Sequence, residues 1–158
     1  MKNTFKRSGA ALISLVLLLV LAVSAGAASS QNVGVKFWKE RSDKESMANS
    51  GIDPDRTATL TRQANGTYTL TLPVMQVSKL GVTGYLSGLT IGDVTYDGTL
   101  TGDFNKATAV LTIKNLPASV LTGSDSSKAL AVTCSIKMDT ILLGDISTSA
   151  KMSIWVER

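Results

Sequence analysis

Alternation with a period of two runs through most of this chain, and it admits strands far more readily than helices. From Thr67 to Leu72, Tyr68, Leu70 and Leu72 fall on one side and Thr67, Thr69 and Thr71 on the other. That is the pattern of a strand with one face buried and one face wet. Val132, Cys134, Ile136 and Met138 alternate in the same way with Thr133, Ser135, Lys137 and Asp139. Ala150, Met152, Ile154 and Val156 alternate with Lys151, Ser153, Trp155 and Glu157. Further strands are expected over Val33 to Lys39, Thr57 to Gln63, Val82 to Ser87, Thr90 to Tyr96 and Ala107 to Lys114. Asn65-Gly66 between two of these runs signals a hairpin with a primed turn, because both residue types tolerate positive φ. Asp97-Gly98 and Gly123 mark further turns. Asn65-Gly66-Thr67 also reads as a glycosylation sequon, which in a tight hairpin we take as turn chemistry.

About eight short strands, separated by turns and rich in Thr and Val, predict an all-β fold, an immunoglobulin-like antiparallel β-sandwich. The Cys-Trp-Cys core of antibody domains is absent, so the likeness concerns architecture only. One polar segment, ERSDKESMANSGIDP from Glu40 to Pro54, interrupts the strand rhythm. Ser42 and Asp43 are placed there to cap one short helix after the first strand, through Glu45 to Met47.

Ahead of the strands lies a leader. Met1 to Arg7 carries Lys2, Lys6 and Arg7, Ala10 to Val23 is apolar apart from Ser14, and small residues follow through Ala28. This three-part form predicts a signal peptide over residues 1–27, cleaved after Ala27, and one domain over 28–158, with an uncleaved anchor over Ala10 to Ala28 as the competing reading. No membrane span is expected after cleavage, and the mature protein is expected to be secreted, extracellular or associated with the cell surface. Of 16 Lys and Arg, removing the three in the leader leaves 13 against 12 Asp and Glu. A body so near neutrality lacks the concentrated positive field that holds nucleic acid.

The chain has no His and one Cys. Triads and Cys-His pairs built on imidazole are therefore out of reach, as is any zinc site that needs His. With acidic residues scattered as well, no enzyme is expected. Asp93, Asp97 and Asp103 sit where turns explain them, without the spacing of a calcium loop. Cys134, on the apolar face of its strand, reads as a core thiol.

The stretch VGVKFWKERSDKESMANSGIDPDRTATLTRQANGTYTLTL, from Val33 to Leu72, resembles the NEAT domains of Gram-positive haem-capture proteins. A strand, a charged stretch, a Ser-Met pair and a hairpin follow one another in the family's order. A looser correspondence continues at GVTGYLSGL, Gly81 to Leu89. The resemblance implies a haem or related porphyrin held between a short helix and a late β-hairpin, with iron acquisition as the setting. A haem-donor or cell-surface protein would then be a further partner. Carried over by position, Ser46 would hydrogen-bond a propionate and Met47 would cover one porphyrin face. Both roles suit the side chains, one a hydroxyl donor and the other a polarizable thioether.

One departure bears on the metal. NEAT domains that ligate haem iron usually carry Tyr-x-x-x-Tyr on the last hairpin, and Leu130 to Arg158 contains no Tyr. Tyr85, between Gly84 and Leu86 in the looser stretch, is a candidate ligand contact, with packing as the alternative. Tyr68 reads as packing and Tyr96 as surface. Met75, Met138 and Met152 offer sulfur in principle, as Met does in electron-transfer haems, yet each also fits an apolar strand as core filler. The iron ligand is thus left open. Ile141 and Leu142, in MDTILLGDIS, would supply an apolar wall facing Met47, or form part of an ordinary strand. A different reading of the same chain is an extracellular structural or adhesive β-sandwich that has lost haem coordination.

Overall fold

The computed structural model describes residues 28–79, 81–139 and 144–158. The expected signal peptide, residues 1–27, lies outside the described residues, as do Ile141 and Leu142. Nine strands are present: β1 (Ser29–Lys39), β2 (Ala58–Arg62), β3 (Tyr68–Pro73), β4 (Val77–Lys79), β5 (Val82–Ile91), β6 (Val94–Thr101), β7 (Val110–Leu116), β8 (Leu130–Met138) and β9 (Ile146–Val156).

The expected sandwich is not what forms. All pairings are antiparallel and run in one sheet ordered β4-β5-β6-β7-β3-β2-β1-β9-β8, which returns on itself because β8 also pairs with β5. Eight strands close a barrel, and β4 is an extra strand on β5. The cause lies in β5, ten residues long. One edge pairs with β8 from Gly84 to Thr90, while the other is shared by β4 near its start and β6 near its end. An extra residue at Ser87 shifts the β5–β8 register between Leu86 and Gly88. Such a bulge bends and twists a strand, which is what ring closure demands.

That bulge also explains why Val82 to Ser87 and Thr90 to Tyr96 read as separate strands. Alternation breaks at Ser87, so one strand reads in the sequence as the ends of two. The chain in fact reverses at Gly92-Asp93, between the paired Ile91 and Val94, with Gly92 at φ 58°. Asp97 and Gly98 lie inside β6, paired with β5 and β7. The β2–β3 hairpin forms where expected, but as a three-residue loop. Gln63 pairs with Thr67, Gly66 N–H donates to Gln63 C=O at 3.0 Å, and Gly66 alone of the loop has positive φ. Asn65 Oδ1 accepts from Thr67 N–H at 3.0 Å and from its hydroxyl at 2.7 Å, so the sequon residues are spent on the turn.

The barrel interior is filled by side chains from the alternating positions, Phe37, Leu60, Leu72, Leu111, Met152 and Ile154 among them, all fully buried. An eight-stranded barrel is about wide enough for such filling. Cys134 is buried with them, and burial pushes its thiol up to about 12. On the outer face of β9, Ser153 is also fully buried. Its hydroxyl accepts from the Trp38 indole N–H at 2.9 Å, so the polar side of this strand pair is sealed by an aromatic lid with its own donor satisfied.

No α-helix is present among the described residues. After β1 the chain doubles back, with Lys39 N–H donating to Lys44 C=O at 2.8 Å, and then makes a five-residue 3-10 turn, Met47–Gly51. The cap is Ser46, whose Oγ accepts from Ala48 N–H at 3.3 Å, in place of the expected Ser42 and Asp43. Asn, Ser and Gly at 49 to 51 are weak helix formers, and a segment this short cannot recover the cost of nucleating an α-helix.

Candidate functional site

An apolar cleft of about 410 Å³ opens between that 3-10 turn and the β8–β9 strand pair. Ser46, Met47, Ala48 and Gly51 form the lip, Val77 of β4 and Val82, Gly84 and Leu86 of β5 form the floor, and Ile136, Met138, Ile146 and Thr148 form the far wall. Pockets of roughly 300 to 1,000 Å³ with apolar walls and few polar groups are the usual form of cofactor sites. Here the polar side chains are two hydroxyls, those of Ser46 and Thr148.

The cleft exists because the core-facing register of β5 and β8 continues past the end of the filled interior. Leu86 is buried, whereas Ile136 and Met138 on the same face of β8 as Cys134 are only half-buried. Gly84, opposite Met138 in the ladder, keeps the floor open. A Cβ there would come within 2.8 Å of the Met138 sulfur and 2.9 Å of Lys137 C=O. At the mouth, Met47 and Ile146 are 56% and 46% exposed, unusual values for large apolar side chains.

The lip is fixed by its neighbours. Ser46 N–H donates to Phe37 C=O at 2.9 Å, and the Asn49 side chain meets Phe37 N–H and C=O at 2.8 and 2.7 Å. On the exit side, Met75 N–H donates to Gly51 C=O at 3.0 Å and Asp53 N–H to Pro73 C=O at 3.1 Å. Below the wall, Asp139 N–H donates to Thr83 C=O at 2.9 Å and Gln76 Nε2 donates to Asp139 Oδ2 at 2.8 Å, which ties the end of β8 to the floor.

Of the residues singled out from sequence, Ser46 and Met47 line the cleft. Tyr85 does not line it. Strand alternation turns Tyr85 to the opposite face of β5, where its ring packs on Phe104 with centroids 5.2 Å apart. Ile141 and Leu142 fall in the sequence between Met138 and Ile146 and lie outside the described residues; Met138 and Ile146 themselves line the cleft. Sequence reasoning passed over Asn49, Ile136, Ile146 and Thr148, and took Met138 for core filler. Met138 lines the cleft instead, while Met152 is fully buried in the barrel.

No protein-family model and no curated protein sequence matches the chain. Solved structures do. A haem complex of the NEAT5 domain of IsdX2, a B. anthracis hemophore, superposes with a TM-score of 0.53 at 11% identity over 84% of this chain and 99% of that one. A point mutant of the same domain, also a haem complex, gives 0.53 at 10% identity with the same coverage. The chain has a NEAT-like fold. The resemblance drawn from Val33 to Leu72 thus extends to the whole barrel. Within this NEAT-like frame the inward positions of β9 at the cleft are Ile146 and Thr148, so the strand that closes the site offers no phenol.

Proposed function

We propose that this protein is a secreted haem- or porphyrin-binding module, a carrier of the capture or relay kind in Gram-positive iron acquisition, without turnover. The observation that carries the reading is the apolar cleft between the Ser46-Met47 lip and the β8–β9 wall. It has the breadth of neighbouring elements and the few polar groups that a flat, amphiphilic macrocycle requires. The two superposed structures, by their own description, are haem complexes. Ser46 has a hydroxyl proton to donate to a carboxylate while its oxygen accepts from Ala48 N–H. Met47 presents a polarizable thioether at the mouth, suited to lie against a large aromatic plane. The leader at residues 1–27 supports export, and no helix among the described residues is long and apolar enough to cross a membrane.

Titration of the purified protein with hemin tests the reading. A shifted, sharpened Soret band and slowed transfer of haem to a competing apoprotein are expected. A spectrum indistinguishable from free hemin would defeat it. The missing phenol on β9 favours a second reading, an extracellular structural or adhesive barrel that has lost haem coordination. Binding to a protein or glycan surface together with indifference to hemin would support that one.

A further inference from the structure

We infer that Met138 and Met47 are the iron donors of this cleft, so that it takes haem through two thioether sulfurs and favours the ferrous state. This rests on the haem reading above and names the metal contact that reading leaves open.

Proteins hold haem iron through His, Cys, Met or Tyr. The chain contains no His. Cys134 is fully buried in the barrel, Tyr68 and Tyr96 pack against the core, and Tyr85 faces Phe104. Met152 is also fully buried, and Met75 does not line the cleft. The segment between β8 and β9 adds only Asp139, Thr140, Ile141, Leu142 and Leu143 before Gly144. Two donors of the right kind are left, and both line the cleft from separate elements, Met47 on the lip and Met138 on the wall. Gly84 is the second observation. It is the β5 residue paired with Met138, and any larger residue would occupy the space beside the Met138 sulfur. A Cβ there would meet the Met138 sulfur at 2.8 Å and Lys137 C=O at 2.9 Å, so the thioether lies directly over a floor that has no side chain of its own.

The donor type sets the redox preference. A phenolate is anionic and hard and suits ferric iron, whereas a thioether is neutral and soft and suits ferrous iron, raising the reduction potential. Exchanging one for the other on the same scaffold converts a ferric-haem trap into a site that binds more tightly after reduction.

The test uses wild type, Met47→Leu, Met138→Leu, the double variant and Gly84→Ala, titrated anaerobically with hemin before and after dithionite. Leu keeps the apolar volume and removes the donor. Wild type is expected to give a six-coordinate low-spin spectrum, a sulfur shell in iron-edge X-ray absorption, and ferrous affinity at least tenfold above ferric. That factor corresponds to a rise in potential of about 59 mV for one electron. Each single Leu variant should turn five-coordinate, and the double variant should lose the sulfur shell and the redox preference while circular dichroism stays unchanged. Gly84→Ala should reproduce the Met138→Leu spectrum with Met138 still present. An unchanged spectrum and unchanged preference in the double variant, with haem still bound, would overturn the ligation and leave the carrier reading standing. Absence of haem binding by wild type would overturn both.

Discussion

Asn49 grips Phe37 by both of its backbone groups, its Oδ1 accepting from the N–H at 2.8 Å and its Nδ2 donating to the C=O at 2.7 Å. A side-chain amide here takes the place of a neighbouring strand. It completes the end of β1 and, with the same atoms, sets the height of the lip over the cleft. Asn49→Ala leaves the Phe37 N–H without this acceptor, and Phe37 C=O keeps only Ser46 N–H. Loss of about 1 to 3 kcal/mol is expected for a part-buried amide, measured by urea denaturation, together with weaker hemin binding in the same samples. Full stability in that variant would show that water replaces the amide and that the lip is held elsewhere.

Ser46 and Met47 are expected to differ in what their loss costs the fold. Ser46→Ala removes the cap on Ala48 N–H, and about 1 kcal/mol is the usual cost of a lost cap. Met47 is largely exposed, so Met47→Ala should leave the melting temperature nearly unchanged while weakening hemin affinity about tenfold, the equivalent of about 1.4 kcal/mol. Unaltered affinity in the Ser46→Ala/Met47→Ala double variant would place the ligand away from this cleft.

On the outer face of the β1–β9 pair, Trp38 and Ser153 form a hydrogen bond, and neither residue lines the cleft. Ser153→Ala strands the indole N–H against a closed surface, and a loss of about 1 to 3 kcal/mol is expected without change in hemin binding. Near-ultraviolet circular dichroism, compared in a Trp155→Phe background, reports the Trp38 environment.

Cys134 should behave as a thiol out of reach. Its ordinary value is 9.0 and burial raises it to about 12, so below pH 9 both folded and unfolded chains hold the proton and the shift costs nothing. Between pH 9 and about 12 the unfolded chain ionises first, and stability falls as pH rises through that window. An alkylating reagent at pH 8 should label the protein only in denaturant. Rapid labelling of the folded protein would contradict the burial.

Strands were legible in the sequence wherever one face is wet. β3, β8 and β9 follow their Thr, Ser and Lys alternation almost residue for residue, because solvent enforces polarity on every second position. Closure was not legible. Whether two sheets stack or one sheet curls depends on β5 pairing with β8 across the bulge at Ser87, and no local composition announces a partner about fifty residues away. The site was half legible for a related reason. Ser46 and Met47 stand out as a hydroxyl and a thioether in a polar loop. Ile136 and Met138 continue the apolar alternation of β8, and a strand pattern does not say where the barrel interior ends and a cleft begins. Asn49 reads as an ordinary turn residue until its partner on β1 is known.

The pairing of β5 with β8 has a last effect, on how copies of this protein meet. Among the described residues every strand of the ring has neighbours on both sides, and only β4, Val77–Lys79, keeps a bare rim. That rim sits at the cleft, since Val77 is part of its floor. Sheet-to-sheet clumping, the common hazard of β proteins, is thereby confined to a three-residue foothold beside the mouth.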